Sequence, residues 1–290
     1  MTLISKKMIL DLVDLTKPRI CFLSLVMAAW GFLLGTNGHP FSIPTFVSLL
    51  LGLGLVGGAS GVFNQIVEKE IDAKMHRTHQ RPLPAGRVEE RHAHVLGFFL
   101  LVLGEILLVF GVNPLTAVLA AFTVLSYIGM YTPSKQTTAF STLIGAVPGA
   151  LPPLMGYTAA TGQFGVLGLW IFTLLFLWQI PHFLAIGWLY RDDYARASLP
   201  ILSVTDQRGE EVTKQVITYL LALVPLTLLP SVWKLTTETY LWGALGLGCL
   251  FLFAGIFLSW KKNRIGARWL FIVSILYLPA LGLLMVGTLL

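Results

Sequence analysis

The chain has 290 residues, of which 56% are hydrophobic and only 12% are charged, and its mean hydropathy is +0.78. Soluble domains carry about 25% charged residues, and a single soluble core cannot bury this much apolar side chain. Intrinsic disorder is excluded as well, because it requires low hydrophobicity and many charges. The composition therefore indicates a membrane protein that crosses the bilayer several times.

The charge balance is basic, with a net charge of +6 and a pI near 9.4. No soluble basic domain accompanies this excess, so we expect no nucleic-acid partner and interpret the positive charge as a topology signal. The two cysteines, Cys21 and Cys249, stand alone within apolar runs. They indicate neither a disulfide framework nor a metal site.

Nine apolar runs follow one another along the chain, each close to the roughly 20 residues that a helix needs to cross about 30 Å of hydrocarbon. The runs are continuous and lack the alternation of an outer-membrane barrel, so the expected fold is all-α. We predict one bundle of nine transmembrane helices that forms a single intramembrane domain over residues 1–290. The predicted spans are Ile20–Gly35, Ile43–Phe63, His92–Val112, Leu115–Tyr131, Thr138–Tyr157, Val166–Tyr190, Val216–Trp233, Tyr240–Trp260 and Ala267–Leu290.

The positions of Lys and Arg predict the orientation of this bundle. With nine spans, all of the 20 Lys and Arg residues except Lys234 fall in the N-terminal tail and the even-numbered loops. The positive-inside rule places that side in the cytoplasm, so the N-terminus is expected inside and the C-terminus outside. The first apolar run has no signal-peptide cleavage site after it, and a bacterial plasma (inner) membrane fits best.

Two of the cytoplasmic loops, residues 64–91 and 190–215, are long and rich in charges of both signs. In the first loop Asn64, Glu68 and Asp72 recur every four residues, a spacing that places them on one face of a helix. Oxygen ligands grouped in this way suit Mg²⁺, which binds carboxylates together with water and substrate phosphates. The first loop therefore predicts a magnesium site at the membrane face.

Two arginines continue the same spacing along the first loop. Arg77 and Arg81 carry planar guanidinium groups that can hold a diphosphate by paired hydrogen bonds. Pro82 and Pro84 are then expected to end the helix, because proline lacks the backbone N–H that a helix interior needs.

A second acidic pair, Asp192 and Asp193, ends another span on the same side of the membrane. Two acidic clusters at one membrane face favour a site for a metal ion and a diphosphate. In that interpretation Asn64, Glu68, Asp72, Asp192 and Asp193 are the candidate catalytic residues and metal ligands. A second interpretation stays open, in which the first loop is a solvated amphipathic helix whose charges merely pair four residues apart.

Ionisable side chains within the spans form a further set of candidates. His182 lies in the segment WQIPHF, and an ionisable group inside a membrane is a functional candidate by default. Equally, a neutral His182 could donate to a carbonyl freed by a kink at Pro181. We interpret Glu105 as a protonated packing residue. Five glycines and prolines between residues 145 and 153 are expected to break the fifth span, so that its backbone lines protein or a cavity rather than lipid.

The first loop resembles the signature of the intramembrane aromatic prenyltransferase (UbiA-type) superfamily, Asn-Asp-x-x-Asp-x-x-x-Asp. Here residues 64–72 read NQIVEKEID, so Asn64, Glu68 and Asp72 match the ligand positions while Gln65 departs from an acid. The resemblance covers essentially the whole chain. It implies nine helices with two acidic motifs on cytoplasmic loops.

Other segments are similar to the haem-modifying branch of that superfamily. They are LTKPRI at 15–20, MHRTHQRPLPAGR at 75–87, GALPP at 149–153, WQIPHF at 178–183 and YRDDY at 190–194. The last segment lacks the Asp-x-x-x-Asp of many relatives. The resemblance therefore leaves open whether Asp192 or Asp193 faces the metal.

The resemblance implies an enzyme that transfers the farnesyl group of farnesyl diphosphate to the 2-vinyl group of haem B. Water would complete the hydroxyethylfarnesyl side chain of haem O, with Mg²⁺ as the cofactor and haem B as a substrate. Arg77, Arg81 and Lys135 would bind the diphosphate, and His182 would orient the haem. The expected partners are the two substrates, membrane lipid, and a haem A synthase or assembly factors of a terminal oxidase.

Three other functions stay open. A related prenyltransferase would use a quinone-precursor ring or a chlorin as acceptor, although the WQIPHF and YRDDY segments argue against it. A secondary transporter also uses interrupted helices and polar groups at depth, but there is no strong internal repeat and nearly all acids lie at one face. A purely structural assembly factor would leave the one-sided acidic clusters unexplained.

Overall fold

The computed structural model describes residues 6–37 and 40–289, and most of these residues are helical. Strand pairing within these ranges is limited to one isolated bridge between Thr236 and Leu289, which confirms the all-α class. The helices are α1 (Lys6–Leu15), α2 (Pro18–Gly35), α3 (Ile43–Val67), α4 (Lys69–Lys74), α5 (Glu90–Gly111), α6 (Pro114–Leu125), a π-helical segment (Ser126–Tyr131), α7 (Thr132–Thr137), α8 (Ser141–Thr161), α9 (Val166–Leu189), α10 (Arg191–Arg196), α11 (Leu202–Thr205), α12 (Glu210–Val232), α13 (Glu238–Lys261) and α14 (Arg264–Val286).

Among the described residues, eight helical segments are long and apolar enough to cross a membrane. One of them joins α6, the π-helical segment and α7 into a continuous stretch, Pro114–Thr137. The chain is therefore a multi-pass membrane protein. α8 has 21 residues but is not among the eight, so the count of nine spans and the orientation of the termini remain predictions. Leu290, where the last predicted span ends, lies outside the described residues.

α8 is one continuous helix although three prolines lie inside it, so the expectation that this span is broken is wrong. Most of its residues are buried, as expected, because α2, α6 and α9 surround it. The backbones of α2 and α8 touch directly: a Cβ atom on Gly156 would lie 1.9 Å from the Ala28 carbonyl oxygen, and one on Gly31 would lie 1.8 Å from the Pro153 oxygen. Small residues permit this approach, and the surrounding helices keep most of α8 away from lipid.

The long helices divide into two groups around α9. On one side α12 and α14 pack against α9, and α13 packs against both α12 and α14. Their interior contains fully buried aromatic side chains such as Tyr240, Phe251 and Tyr277, and we call this interior the C-terminal core. On the other side α2, α3, α6 and α8 enclose a cavity, which α9 closes.

Candidate active site

The cavity between α2, α3, α6, α8 and α9 has a volume of about 390 Å³. Its inner wall is mainly apolar, with side chains such as Leu25, Leu53, Val56, Pro152 and Met155. Its other end is polar and lies where the charged loops leave the bundle. We call the following lining residues the charged mouth: Lys17, Asn64, Glu68, Asp72, Arg77, Arg81 and Lys135. The cavity therefore joins a charged end to an apolar interior.

The structure brings Asn64, Glu68 and Asp72 to one side of this cavity. α3 ends at Val67 and α4 begins at Lys69, but the helical hydrogen bonds continue across the junction. The N–H of Glu68 donates to the Asn64 carbonyl over 2.9 Å, and that of Asp72 donates to the Glu68 carbonyl over 2.8 Å. The three side chains therefore share one face, as their spacing predicts.

The predicted end of this helix at Pro82 and Pro84 is wrong. α4 ends at Lys74, and residues from Met75 onward form turns. The Thr78 hydroxyl donates to the Asp72 carbonyl over 2.9 Å and satisfies a carbonyl that the helix would otherwise have used. This local contact accompanies a helix end that lies earlier than the prolines would have required.

A cation faces each of the three polar residues of the first motif. The Lys135 ammonium lies 2.6 Å from the Glu68 carboxylate, and the Arg81 guanidinium lies 2.5 Å from the Asp72 carboxylate. The Lys17 ammonium donates to the Asn64 side-chain oxygen. Glu68 is 6% exposed and Asp72 is fully buried, so these charges are paired away from water.

The charged mouth alters the ionisation of two groups that lie outside the spans. Burial, with a smaller contribution from the nearby Arg81, lowers the pKa of the Lys17 ammonium to about 7. Burial alone would raise the pKa of the Glu68 carboxyl, but the charge and hydrogen bond of Lys135 hold that pKa below its ordinary value. Glu68 is therefore a carboxylate at neutral pH.

The cavity lining also includes side chains that were not candidates from sequence, among them Lys17, Tyr127 and Tyr131. Lys17 lies between α1 and α2 with a left-handed backbone (φ 52°). The two tyrosines lie in the π-helical segment, with ring centroids 5.4 Å apart, and Lys135 lies 4.4 Å from the centroid of the Tyr131 ring. π-helical turns occur often at functional sites, but this sequence offers little local signal for one beyond Pro133 in the next turn.

Gln65 has a structural role that explains its departure from an acid. Its side-chain amide donates to the backbone carbonyls of Asp14 and Leu15, over 3.2 and 3.1 Å, and so holds the end of α1 against α3. A carboxylate at this position could not donate either hydrogen bond.

The second acidic pair lies apart from the cavity, since the described lining residues include neither Asp192 nor Asp193. Asp192 is exposed. Asp193 accepts hydrogen bonds from the Arg196 side chain and, over 3.3 Å, from the backbone N–H of His76. Burial acts to raise the pKa of the Asp193 carboxyl, but these hydrogen bonds hold that pKa below its ordinary value. Tyr194, the next residue, does line the cavity.

His182 also lies outside the described cavity lining. Its ring stacks between Trp178 and Phe271, with centroid distances of 4.8 and 5.1 Å. The Ser274 hydroxyl donates its proton to the Phe271 carbonyl over 2.6 Å, so its oxygen accepts from Nδ1 of His182 over 2.7 Å. This arrangement selects the tautomer in which Nε2 carries a free lone pair. The partner of Nδ1 is thus a serine of α14 and not a carbonyl freed by Pro181.

The donor set of the charged mouth fits a hard cation. Among the described residues there is no group of three or more His, Cys, Asp or Glu side chains placed to hold a metal. The first motif nevertheless offers an amide oxygen and two carboxylates, and Oδ1 of Asp72 is buried without a hydrogen-bond partner. Oxygen ligands of this kind suit Mg²⁺ when phosphates and water complete its shell.

Comparison with known sequences identifies similar proteins over most of the chain. The model of the UbiA prenyltransferase family matches residues 24–284. The chain is 40% identical over 277 residues to the protoheme IX farnesyltransferase of Solibacter usitatus, covering 93% of this chain and 95% of that protein. It is 42% identical over 273 residues to the protein of the same name from Myxococcus xanthus, covering 93% and 92%.

Solved structures share the fold at lower identity. A digeranylgeranylglyceryl phosphate synthase has a TM-score of 0.82 at 19% identity, covering 96% of this chain and 97% of that chain. A UbiA homologue from Archaeoglobus fulgidus bound to GPP and Mg²⁺ has a TM-score of 0.65 at 16% identity, covering 96% and 99%. At these identities the likeness shows a common helical fold.

Proposed function

The chain belongs to the UbiA prenyltransferase family, and from this premise we propose that it transfers the farnesyl group of farnesyl diphosphate to the 2-vinyl group of haem B. The product would carry the farnesyl chain together with a hydroxyl group from water, as in haem O. Relatives named protoheme IX farnesyltransferase match more than nine tenths of the chain, which supports haem B as the acceptor.

The observation that carries the proposal is the charged mouth at the end of an apolar cavity. Four basic side chains line it, namely Lys17, Arg77, Arg81 and Lys135, and apolar side chains line most of the rest of the cavity. A prenyl diphosphate has the same division into a charged head and an apolar tail. The cations would bind the diphosphate head and stabilise the negative charge that develops as the carbon–oxygen bond breaks.

Mg²⁺ fits the oxygens of Asn64, Glu68 and Asp72, and when bound it would neutralise charge on the diphosphate. Arg81 and Lys135 lie within 2.6 Å of these same carboxylates, so acids and cations alternate around one small volume. In this arrangement the acids would bind Mg²⁺ while the basic side chains bind the diphosphate. We assign the ion to the first motif on this ground; the role of the second acidic pair is a separate question.

The inner wall supports the carbocation part of the reaction. Its apolar side chains exclude water from the farnesyl chain and so protect an allylic cation from early hydrolysis. The rings of Tyr127 and Tyr131 line the same cavity, and the Lys135 ammonium lies 4.4 Å from the centroid of the Tyr131 ring. An aromatic face stabilises positive charge, and these rings are placed to do so where the diphosphate departs. The electron-rich vinyl carbon of the acceptor then attacks, and no nucleophile from the protein is required.

His182 is our candidate ligand for the haem. Its Nε2 lone pair is free, and the flat rings of Trp178 and Phe271 lie beside it. A planar tetrapyrrole could bind there with its iron at Nε2. In purified protein, His182→Ala should then weaken haem binding measured by Soret absorbance while farnesyl diphosphate binding is kept. Unchanged haem affinity would show that His182 only packs against α14.

A comparison of acceptors tests the proposed reaction. Purified protein in lipid nanodiscs is incubated with farnesyl diphosphate, Mg²⁺ and either haem B or 4-hydroxybenzoate, with EDTA added to a parallel sample. We expect mass spectrometry to show one farnesyl group and one hydroxyl group added to haem B, and no product with EDTA. Farnesylated 4-hydroxybenzoate would point to a quinone-precursor acceptor. A lack of diphosphate release with both acceptors would argue against prenyl transfer.

The location and partners follow from the same proposal. Eight apolar helices among the described residues make the protein multi-pass, and relatives of this kind from bacteria support a plasma (inner) membrane. A haem A synthase and oxidase assembly factors stay predicted partners, since they would take up a farnesylated haem.

A further inference from the structure

We infer that two backbone carbonyl oxygens of α8, those of Ile144 and Pro148, face the cavity and stabilise the allylic cation formed from farnesyl diphosphate. The inference rests on the proposed prenyl transfer and gives the proline-rich segment of α8 a part in it. When the bond between C1 and oxygen breaks, its electron pair leaves with the diphosphate and positive charge remains on the farnesyl chain. The vinyl group then supplies the electron pair of the new carbon–carbon bond, so the two oxygens stabilise charge and form no bond.

The prolines inside α8 deprive particular carbonyls of their usual hydrogen bond. In an α-helix the N–H of each residue donates to the carbonyl four residues earlier. Proline has no N–H, so Pro148 and Pro152 leave the carbonyls of Ile144 and Pro148 without that partner. A carbonyl oxygen without a hydrogen bond keeps its full negative potential. In a site that excludes water, such an oxygen favours a positive charge beside it.

Both of these carbonyls lie on the face of α8 that lines the cavity. The lining residues of α8 recur at intervals of three and four, as one helix face requires: Gly145, Pro148, Gly149, Pro152 and Met155. A helical carbonyl points along the axis toward the backbone nitrogen four residues later. The nitrogens of Pro148 and Pro152 belong to the lining face, so the oxygens of Ile144 and Pro148 lie on that face as well.

Direct contacts place this face next to the proposed diphosphate site. The Lys135 ammonium lies 4.4 Å from the centroid of the Tyr131 ring. That ring packs on α8, since a Cβ atom on Gly145 would lie 2.5 Å from Cε2 of Tyr131. The carbonyl of Ile144 belongs to the preceding residue, and that of Pro148 lies about 6 Å further along the helix. C1 of the farnesyl chain is bonded directly to the diphosphate, so it would lie at the level of these oxygens.

Two variants and a matched control test these oxygens. Pro148→Ala and Pro152→Ala each restore an N–H that donates to the freed carbonyl and lowers its negative potential, and alanine favours the helix. The control is Pro153→Ala, the same change on the same helix, which restores a donor for the Gly149 carbonyl. Pro153 is not among the described lining residues, and its own oxygen lies against α2, 1.8 Å from the position of a Cβ atom on Gly31.

The readouts are made on the full chain in nanodiscs with Mg²⁺. Calorimetry in the presence of inorganic diphosphate compares farnesylamine, whose ammonium group imitates the cation beside C1, with farnesol, which has the same carbon chain and no charge. We expect Pro148→Ala and Pro152→Ala to bind farnesylamine about tenfold more weakly and farnesol within about twofold of wild type. With farnesyl diphosphate and haem B, kcat should fall about tenfold while KM stays within about twofold. Pro153→Ala should match wild type in every measurement.

Two results would overturn the inference. Unchanged farnesylamine affinity in Pro148→Ala and Pro152→Ala would show that the freed carbonyls do not face the cation. Equal losses for farnesylamine and farnesol, or equal losses in Pro153→Ala, would show that the shape of α8 matters and its oxygens do not. If one of the two lining variants does not fold, the other decides alone. Absence of prenyl transfer in wild type would refute the proposed function, but the comparison of farnesylamine with farnesol would still test the carbonyls.

Discussion

The acids of the charged mouth and the side chains of the C-terminal core are both buried, yet different interactions hold the two regions together. In the core, Phe251 and Tyr277 pack with ring centroids 5.2 Å apart. In the mouth, Glu68 and Asp72 are buried beside cations from other parts of the chain. Tight packing contributes directly to stability, whereas a buried ion pair barely recovers the free energy lost on removing both charges from water.

This difference separates stability from function within one bundle. Substitutions in the C-terminal core should lower the free energy of unfolding and leave catalysis nearly intact in the folded fraction. Substitutions in the charged mouth should lower catalysis and leave the free energy of unfolding nearly unchanged. On a common scale a tenfold change in kcat/KM corresponds to about 1.4 kcal/mol, so the expected effects can be ranked.

The largest effect is expected for Phe251→Ala in the C-terminal core. Removing this fully buried ring leaves a void, and the free energy of unfolding should fall by about 3 kcal/mol. Unfolding in mixed micelles titrated with SDS measures the change. The control is Phe253→Ala on the same helix, whose side chain is 65% exposed and should matter little. Equal losses from both variants would mean that the core packs no more tightly than the outer face.

The next effect concerns Asp72→Asn in the charged mouth. The substitution keeps the shape of the side chain but removes the charge that faces Arg81, and kcat/KM should fall about 100-fold. The unfolding midpoint in SDS should change little. Glu89→Gln is a suitable control, since that acid of the same loop has a side chain 79% exposed. If Asp72→Asn retained activity, the first motif would not be the metal site.

A smaller effect is expected for Arg77→Lys, which keeps the charge. Lysine cannot form the paired hydrogen bonds of a guanidinium group or stack as well on Tyr190 and Tyr194, so KM for farnesyl diphosphate should rise about tenfold. Steady-state kinetics with varied farnesyl diphosphate provide the measurement. Arg268→Lys, at an exposed position of α14, should leave KM unchanged. A purely electrostatic role for Arg77 would give wild-type KM in both variants.

The smallest effect is expected for Tyr240→Phe. The Tyr240 hydroxyl donates to the Thr227 carbonyl over 2.9 Å, linking α13 to α12 inside the C-terminal core. Loss of this hydrogen bond should lower the free energy of unfolding by about 1 kcal/mol with no change in kcat. The same SDS titration detects it. A change in kcat without a change in unfolding would show that the core and the site are coupled.

Local sequence patterns predicted much of the fold and part of the site. Apolar runs of span length identified the helices because crossing a bilayer demands both length and low polarity. The four-residue spacing placed Asn64, Glu68 and Asp72 on one face, since helical periodicity is a local property. The end of that helix was missed, because it depends on the Thr78 contact with Asp72 and not on the prolines downstream.

The sequence by itself thus determined that the chain is helical and membrane-embedded, and that its charges collect near one group of loops. Only the tertiary structure decided which charges meet. Lys135 pairs with Glu68 across 67 positions, and Asp193 accepts from the backbone of His76 across 117. The position of His182 on α9 likewise places its ring against Ser274 of α14, outside the described cavity lining. A charge inside the bundle needs a partner that helix packing brings near, and spacing along one segment carries no information about the neighbouring helix.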